Sequence, residues 1–169
     1  MSTAARSWWG RSQLALEIRL ATTADEASII SVTNAAFAIE TFLEGTRTDE
    51  EGLTAMMRKG IFLVAEEDGQ LVASVYIEIR GLRGYFGMLA VHPTKQGKGL
   101  GRVMVDAAED HCRQQGCNAM DITVLSLRPE LPPLYRKLGY VETGSEELHP
   151  SRPLKNGIEC HCIVMSKTL

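Results

Sequence analysis

No apolar run in this chain is long enough to cross a bilayer, and no signal-peptide core is present. Membrane insertion and secretion are therefore set aside, and a cytoplasmic location is expected. A basic excess is also missing: Lys and Arg number 18 against 21 Asp and Glu, a net charge of −3, which excludes a general nucleic-acid binder. The same balance is compatible with a cationic amine as partner. No Cys-x-x-Cys pair occurs among the four cysteines Cys112, Cys117, Cys160 and Cys162, so a metal site is not expected. Cys160-His161-Cys162 falls in an expected strand, Ile158 to Met165, where neighbouring side chains point to opposite faces. The cysteines read as core or half-buried thiols. Internal repeats and low-complexity stretches are absent, and 169 residues suffice for one domain with a sizeable core.

What the chain does have is the loop Gln96-Gly97-Lys98-Gly99-Leu100-Gly101-Arg102. It lies between the apolar, strand-like Tyr85 to Val91 and an amphipathic helical stretch that begins at Leu100. That helix carries Leu100, Val103, Met104, Ala107, Ala108, His111 and Cys112 on its apolar face. Arg102, Asp106, Glu109, Asp110 and Arg113 lie on the other face, and Gly116 is the expected stop. A further strand follows over Ala119 to Leu125. Free N–H groups at a helix start, with the helix dipole behind them, suit a phosphate. A Walker loop would need Lys-Ser or Lys-Thr after the last glycine, and neither is present. A dinucleotide loop spaces its glycines G-x-G-x-x-G directly after the strand; here the spacing is G-x-G-x-G and His92 to Gln96 intervene. Asp121, 20 residues beyond Gly101, lies near the start of its strand, where a ribose would not be.

With these residues the chain resembles the GNAT superfamily of acyl-CoA-dependent N-acyltransferases. Gln96, Gly99 and Gly101 match the family's Gln/Arg-x-x-Gly-x-Gly/Ala signature, approached through Leu89-Ala90-Val91-His92-Pro93. Leu134-Tyr135-Arg136-Lys137-Leu138-Gly139-Tyr140 is similar to the family's late helix and following strand. The resemblance implies an α/β (α+β) fold with a mixed, mostly antiparallel sheet flanked by helices and parted near Val91. It implies acetyl-CoA as co-substrate, with its pyrophosphate on the main chain across Gly97, Lys98, Gly99, Leu100, Gly101 and Arg102. Its pantetheine arm would pair with Leu89, Ala90 and Val91, and Tyr135 would stand beside the thioester sulfur as general acid. The implied activity is acetyl transfer to a primary amine by direct attack; the acceptor is a small molecule or a peptide amine. A non-catalytic acyl-CoA sensor and a dinucleotide oxidoreductase are the rival classes. One departure from the family pattern is Arg128, at the position seven before Tyr135 where many members carry Asn.

The remaining segments read as alternating elements. Residues 1–14, with Trp8 and Trp9, stand apart as a flexible arm or expression remnant, or else as a patch docking on a second copy in a homodimer. Residues 15–169 are expected to form the single catalytic domain. A strand over Leu16 to Leu20 precedes a helix capped by Thr23, with Ala27, Ile30 and Ala35 facing inward. A second helix covers Asp49 to Arg58. Ile61 to Glu66 and Leu71 to Ile79 flank Asp68-Gly69 as a hairpin, with Ser74, Tyr76 and Glu78 on a polar face. Gly87 marks either a bulge or a close neighbour. Tyr135 follows Pro132 and Pro133, which suit a first helical turn, and shares a face with Leu131 and Leu138. No acid precedes the loop on its own strand, so the base candidates are Glu78, Glu40 and water. The resemblance implies that Phe37 to Arg47 lines the acceptor side. Arg128 either holds an acceptor anion through its planar fork or pairs with Glu130.

Overall fold

The computed structural model describes residues 16–150 and 152–169. The arm expected over residues 1–14, with its two tryptophans, lies outside them. Seven strands form one sheet: β1 (Glu17–Leu20), β2 (Ile61–Glu67), β3 (Gln70–Arg80), β4 (Arg83–Val91), β5 (Ala119–Leu125), β6 (Val141–Glu147) and β7 (His161–Thr168). Their spatial order is β1-β2-β3-β4-β5-β7-β6. Four α-helices flank it: α1 (Glu26–Ala36), α2 (Glu50–Met57), α3 (Leu100–Gln114) and α4 (Leu131–Lys137).

The sheet is antiparallel except at its centre. There β4 and β5 run parallel and pair only over Arg83↔Ala119, Gly84↔Met120 and Tyr85↔Asp121. Beyond Tyr85 each strand keeps its outer partner alone: β4 stays on β3 up to Ala73↔Val91, and β5 stays on β7 up to Leu125↔Cys162. The sheet therefore parts into a wedge from Phe86 onward rather than near Val91. The bidentate ion pair Arg83–Asp121, 2.7 Å at both oxygens, latches the closed end.

Two apolar clusters fill the two faces. Val75, Ile77, Phe86, Met104, Ala108, Ile122 and Met165 form one, with Leu131, Tyr135 and Leu138 of α4 packed on it. Ile29, Leu53, Phe62, Val64 and Tyr76 form the other, beneath α1 and α2. Because this second layer covers β3, the face carrying Ser74 and Tyr76 is buried, contrary to the polar face expected there. Ile79, expected inside, is 41% exposed because it lies beyond that cover.

Local chemistry sets the boundaries. Thr23, the expected α1 cap, instead begins a short 3-10 turn capped by Thr22, whose amide donates to Asp25 Oδ2 at 2.7 Å; Asp25 is the N-cap of α1 itself. The inward face of α1 is Ile29, Val32 and Thr33, whereas Ala27 is exposed and Ile30 and Ala35 are half-buried. Branched Ile29 and Val32 remove more apolar area from water than the alanines do, so the helix is rotated towards them. Asp49 caps α2, accepting from the Gly52 amide at 2.8 Å. The expected hairpin forms on Asp68-Gly69, both with positive φ. In α3, Val103 is exposed and Glu109, expected outward, is 3% exposed. Lys167 at 3.0 Å and the Tyr140 hydroxyl at 2.9 Å compensate the buried Glu109 carboxylate. Strand β7 begins at His161, three residues later than expected, so Cys160 precedes it.

Candidate active site

The wedge opens into a cleft of about 890 Å³. Its walls include Leu89 and Val91 of β4, the loop at Gln96, Gly97, Gly99, Leu100 and Gly101, residues 122–125 of β5, and Tyr135 of α4. Glu40, Glu78 and Arg128 line it too, so residues scattered through the sequence converge on one cavity. Ala90 is fully buried, and Ala90, Lys98 and Arg102 are not among the lining residues.

The loop presents a run of free main-chain amides. Gly97 and Gly99 have φ of 78° and 79°, and a Cβ at either would meet nothing within 4 Å. Their requirement for glycine is thus the left-handed backbone, not lack of space. Val103 is the first residue of the helix start to donate, to Gly99 O at 3.1 Å; the amides from Gly97 to Arg102 have no acceptor among the described residues. Gln96 acts structurally, its Nε2 donating to Val91 O at 3.0 Å and folding the loop back on β4. His92 satisfies the intervening turn, its Nδ1 accepting from the Thr94 amide at 3.2 Å.

A bulge shapes the β4 wall. Ser74 pairs with Ala90 and Tyr76 with Gly87, so Met88 and Leu89 together oppose Val75. Met88 has φ 51°, an outlier for a bulky residue that no sequence signal announces. Both readings of Gly87 hold. It flanks the bulge, and a Cβ there would come 2.7 Å from Tyr85 Oη.

Tyr135 stands where α4 meets the cleft. Its ring lies 6.1 Å from Phe86 and 6.0 Å from Tyr140, which are themselves 6.0 Å apart, a mutually tilted aromatic triangle. Burial pushes its hydroxyl pKa up to about 12, and that hydroxyl makes no hydrogen bond among the described residues. Glu78 accepts from Tyr76 Oη at 2.9 Å and from Arg80 Nε at 2.9 Å. The Arg80 guanidinium holds its carboxyl below the usual range, against partial burial and with help from Tyr76. Glu40, 7% exposed, bridges Arg128 Nη1 at 2.9 Å and Arg47 Nη1 at 3.3 Å. Arg128 also donates from Nε to Glu130 at 2.6 Å. Pairing with Glu130 is thus one of its two roles; Glu40, 88 residues away in sequence, is the partner that sequence reading missed. Asp121 is engaged by Arg83 and by Ser166 Oγ at 2.5 Å at the closed end, away from the loop. Cys112, Cys117 and Cys162 are buried and Cys160 half-buried, all as free thiols. No helix among the described residues is long and apolar enough to cross a membrane.

A family model described as an acetyltransferase (GNAT) domain matches residues 21–153. Among curated proteins, the mycothiol acetyltransferase of Propionibacterium freudenreichii is 25% identical over 142 residues, 78% of this chain and 45% of its own length. An acetyltransferase of Yersinia pestis is 34% identical over 80 residues, 47% of this chain and 57% of its own. The chain therefore spans about half the length of these curated relatives. Among solved structures, the ribosomal-protein-S18-alanine N-acetyltransferase of Escherichia coli superposes with a TM-score of 0.73 at 17% identity, covering 91% of this chain and 94% of that one. A Salmonella typhimurium structure holding acetyl-CoA gives 0.70 at 24% identity, covering 92% and 94%. At such identities the structures speak to the fold, a seven-stranded sheet parted at its centre and flanked by helices. The family model covers most of the sequence that builds this sheet and its glycine loop, and the chain belongs to the GNAT acetyltransferase family.

Proposed function

We propose that this protein transfers the acetyl group of acetyl-CoA to a primary amine by direct attack within the wedge. The supporting observation is that the unpartnered amides at the start of α3, the unpaired β4 edge and the free Tyr135 hydroxyl all open onto one cleft. The amides from Gly97 to Arg102 suit the pyrophosphate. The β4 edge at Leu89 to Val91, which has lost β5, suits the amide-bearing pantetheine arm as an added strand. The acceptor enters from the side of α1 and α2, past Glu40, Glu78 and Arg128.

An amine with a lysine-like pKa is only about one part in a thousand neutral at pH 7.4, a cost of about 4 kcal/mol. Neither carboxylate in the cleft suits the removal of that proton. Glu40 is held between two guanidiniums, and Glu78 has a lowered proton affinity. Water is therefore the acceptor of the ammonium proton. The amine nitrogen then bonds to the acyl carbon and the carbon–sulfur bond breaks. Tyr135 gives its proton to the departing thiolate and regains one from the acylated nitrogen. The products are an acetamide, CoA thiol and one released proton.

The test is thiol release from acetyl-CoA against a panel of amines, with calorimetry of acetyl-CoA, CoA and NAD on the same sample. Tight acetyl-CoA binding with amine-dependent thiol release is the expected result. Binding without release from any amine would make the protein a sensor, and preference for NAD would overturn the cofactor assignment.

A further inference from the structure

We infer that the acceptor amine carries a carboxylate on an apolar body, and that Arg47 grips that carboxylate. The inference rests on the acetyl-transfer reading and names the substrate class for it. The reaction it implies converts an amino acid and acetyl-CoA into the N-acetyl amino acid, CoA thiol and one proton.

Three observations lead there. First, the charges are unbalanced. Among the described residues, Arg47, Lys59, Arg80 and Arg128 line the acceptor side of the cleft with Glu40 and Glu78 as its only carboxylates, in a chain whose overall charge is −3. The innermost group is a single carboxylate, Glu40, with 4% of its side chain exposed, between the guanidiniums of Arg47 and Arg128. A surplus cation in such a site calls for an anion. Glu130 partly answers for Arg128 from the solvent side, but among the described residues no second carboxylate answers for Arg47.

Second, the two arginines differ in what they have left to give. Arg128 uses Nε and Nη1. Arg47 uses Nη1 alone, in a long 3.3 Å contact, so its Nε–Nη2 edge makes no bond among the described residues. That edge is the fork that meets a carboxylate through two parallel hydrogen bonds. The Phe37 ring, 4.9 Å from Arg47 Cζ, supports the guanidinium and limits its wandering.

Third, Arg47 stands between two chambers. A smaller cavity of about 340 Å³ abuts the cleft and shares with it Arg47, His149 and the apolar Ala55, Met56, Met88, Leu125 and Leu148. Leu43 and Pro150 complete its apolar wall, and the one other guanidinium there, Arg152, is paired with Asp49. An amino acid whose carboxylate sits on Arg47 can place an apolar side chain there and its amine in the wedge. A purely cationic acceptor would meet the surplus positive charge instead.

The test compares L-leucine and L-methionine with 3-methylbutylamine and 3-(methylthio)propylamine, the same molecules without the carboxylate. L-leucinamide and the phosphonate analogue of leucine complete the set. Thiol release should favour each amino acid over its decarboxylated partner by about 10²-fold in kcat/KM, the size of one lost charge-assisted bidentate contact. Arg47→Gln should collapse that ratio to below tenfold. Arg47→Lys, which keeps the charge and the Glu40 contact but not the fork, should give an intermediate ratio. Equal or better turnover of the decarboxylated amines or leucinamide would overturn the inference. So would a tenfold preference for the phosphonate, or a ratio unmoved by both variants. If no amine releases thiol, the transfer reading fails by itself. Calorimetry of leucine against 3-methylbutylamine on the CoA-loaded protein then still decides whether Arg47 binds a carboxylate.

Discussion

Burial pushes the Tyr135 hydroxyl up to about 12, so the residue is a neutral phenol throughout the physiological range. A phenol can donate to a developing thiolate without first gaining a proton, which suits the end of acyl transfer better than its start. The ring owes its position to Phe86 and Tyr140, and neither contact uses the hydroxyl. Tyr135→Phe should therefore keep the fold and the affinity for acetyl-CoA within about twofold while lowering kcat by about 10²-fold. Calorimetry and thiol release on the same preparation check both halves. Glu78 provides the contrast. Its carboxyl is already depressed by Arg80, so Glu78→Gln should change kcat/KM by less than about tenfold. With water taking the ammonium proton, kcat/KM should rise tenfold per pH unit up to the acceptor's own pKa. A falling limb should appear only as pH nears the Tyr135 value of about 12. A plateau near neutral pH would instead reveal a protein base.

The glycine loop is a property of an element, because its free donors exist only where α3 begins. Gly99 is the residue before the first helical turn, with φ 79° and ψ 7°. An alanine there would touch nothing within 4 Å, so its cost is the left-handed backbone, about 1–2 kcal/mol. If the loop avoids that cost by turning, the amides swing away from the ligand. Gly99→Ala should accordingly raise the acetyl-CoA Kd by roughly tenfold and leave the ranking of acceptors unchanged. Titrating both proteins with acetyl-CoA and repeating the amine panel checks this. The loop was legible in the sequence because its glycines and flanking apolar runs are local. The Asp68-Gly69 hairpin and the helix placed over Asp49 to Arg58 were legible for the same reason, though the capping role of Asp49 was not read. Long-range features were not. Ser74 and Tyr76 alternate like a solvated face, and only the docking of α1 and α2 buries them. Glu109 reads as surface until Lys167, 58 residues on, is brought beside it. Glu40 and Arg128 were each candidates, yet nothing in either segment announces their pairing or the free edge of Arg47.

At the scale of the molecule, the parted sheet makes two half-sheets, β1 to β4 and β5-β7-β6, joined by a three-residue register. The wedge that admits a ligand is also a break in sheet continuity, so the closed end has to hold both halves together. The Arg83–Asp121 fork spans that junction, and Ser166 Oγ ties Asp121 onward to β7. The Arg83 guanidinium holds the Asp121 carboxyl below the usual range, against partial burial and with help from Ser166. A carboxylate with a lowered folded-state pKa contributes stability that is complete above its unfolded value near 3.9. That contribution fades as pH falls from about 4 through the folded value. Asp121→Asn should therefore lower Tm by about 2–4 °C at pH 7, and the difference from wild type should shrink steadily below pH 4. Thermal melts at pH 7, 5, 4 and 3 measure it. Because the junction sets how the wedge opens, the variant should also lose part of the Tm increase that saturating acetyl-CoA gives the wild type. A deficit that stays constant down to pH 3 would mean that the pair contributes by packing and not by charge. The latch between the half-sheets would then lie in the apolar contacts of Met120 and Cys112 behind Gly84.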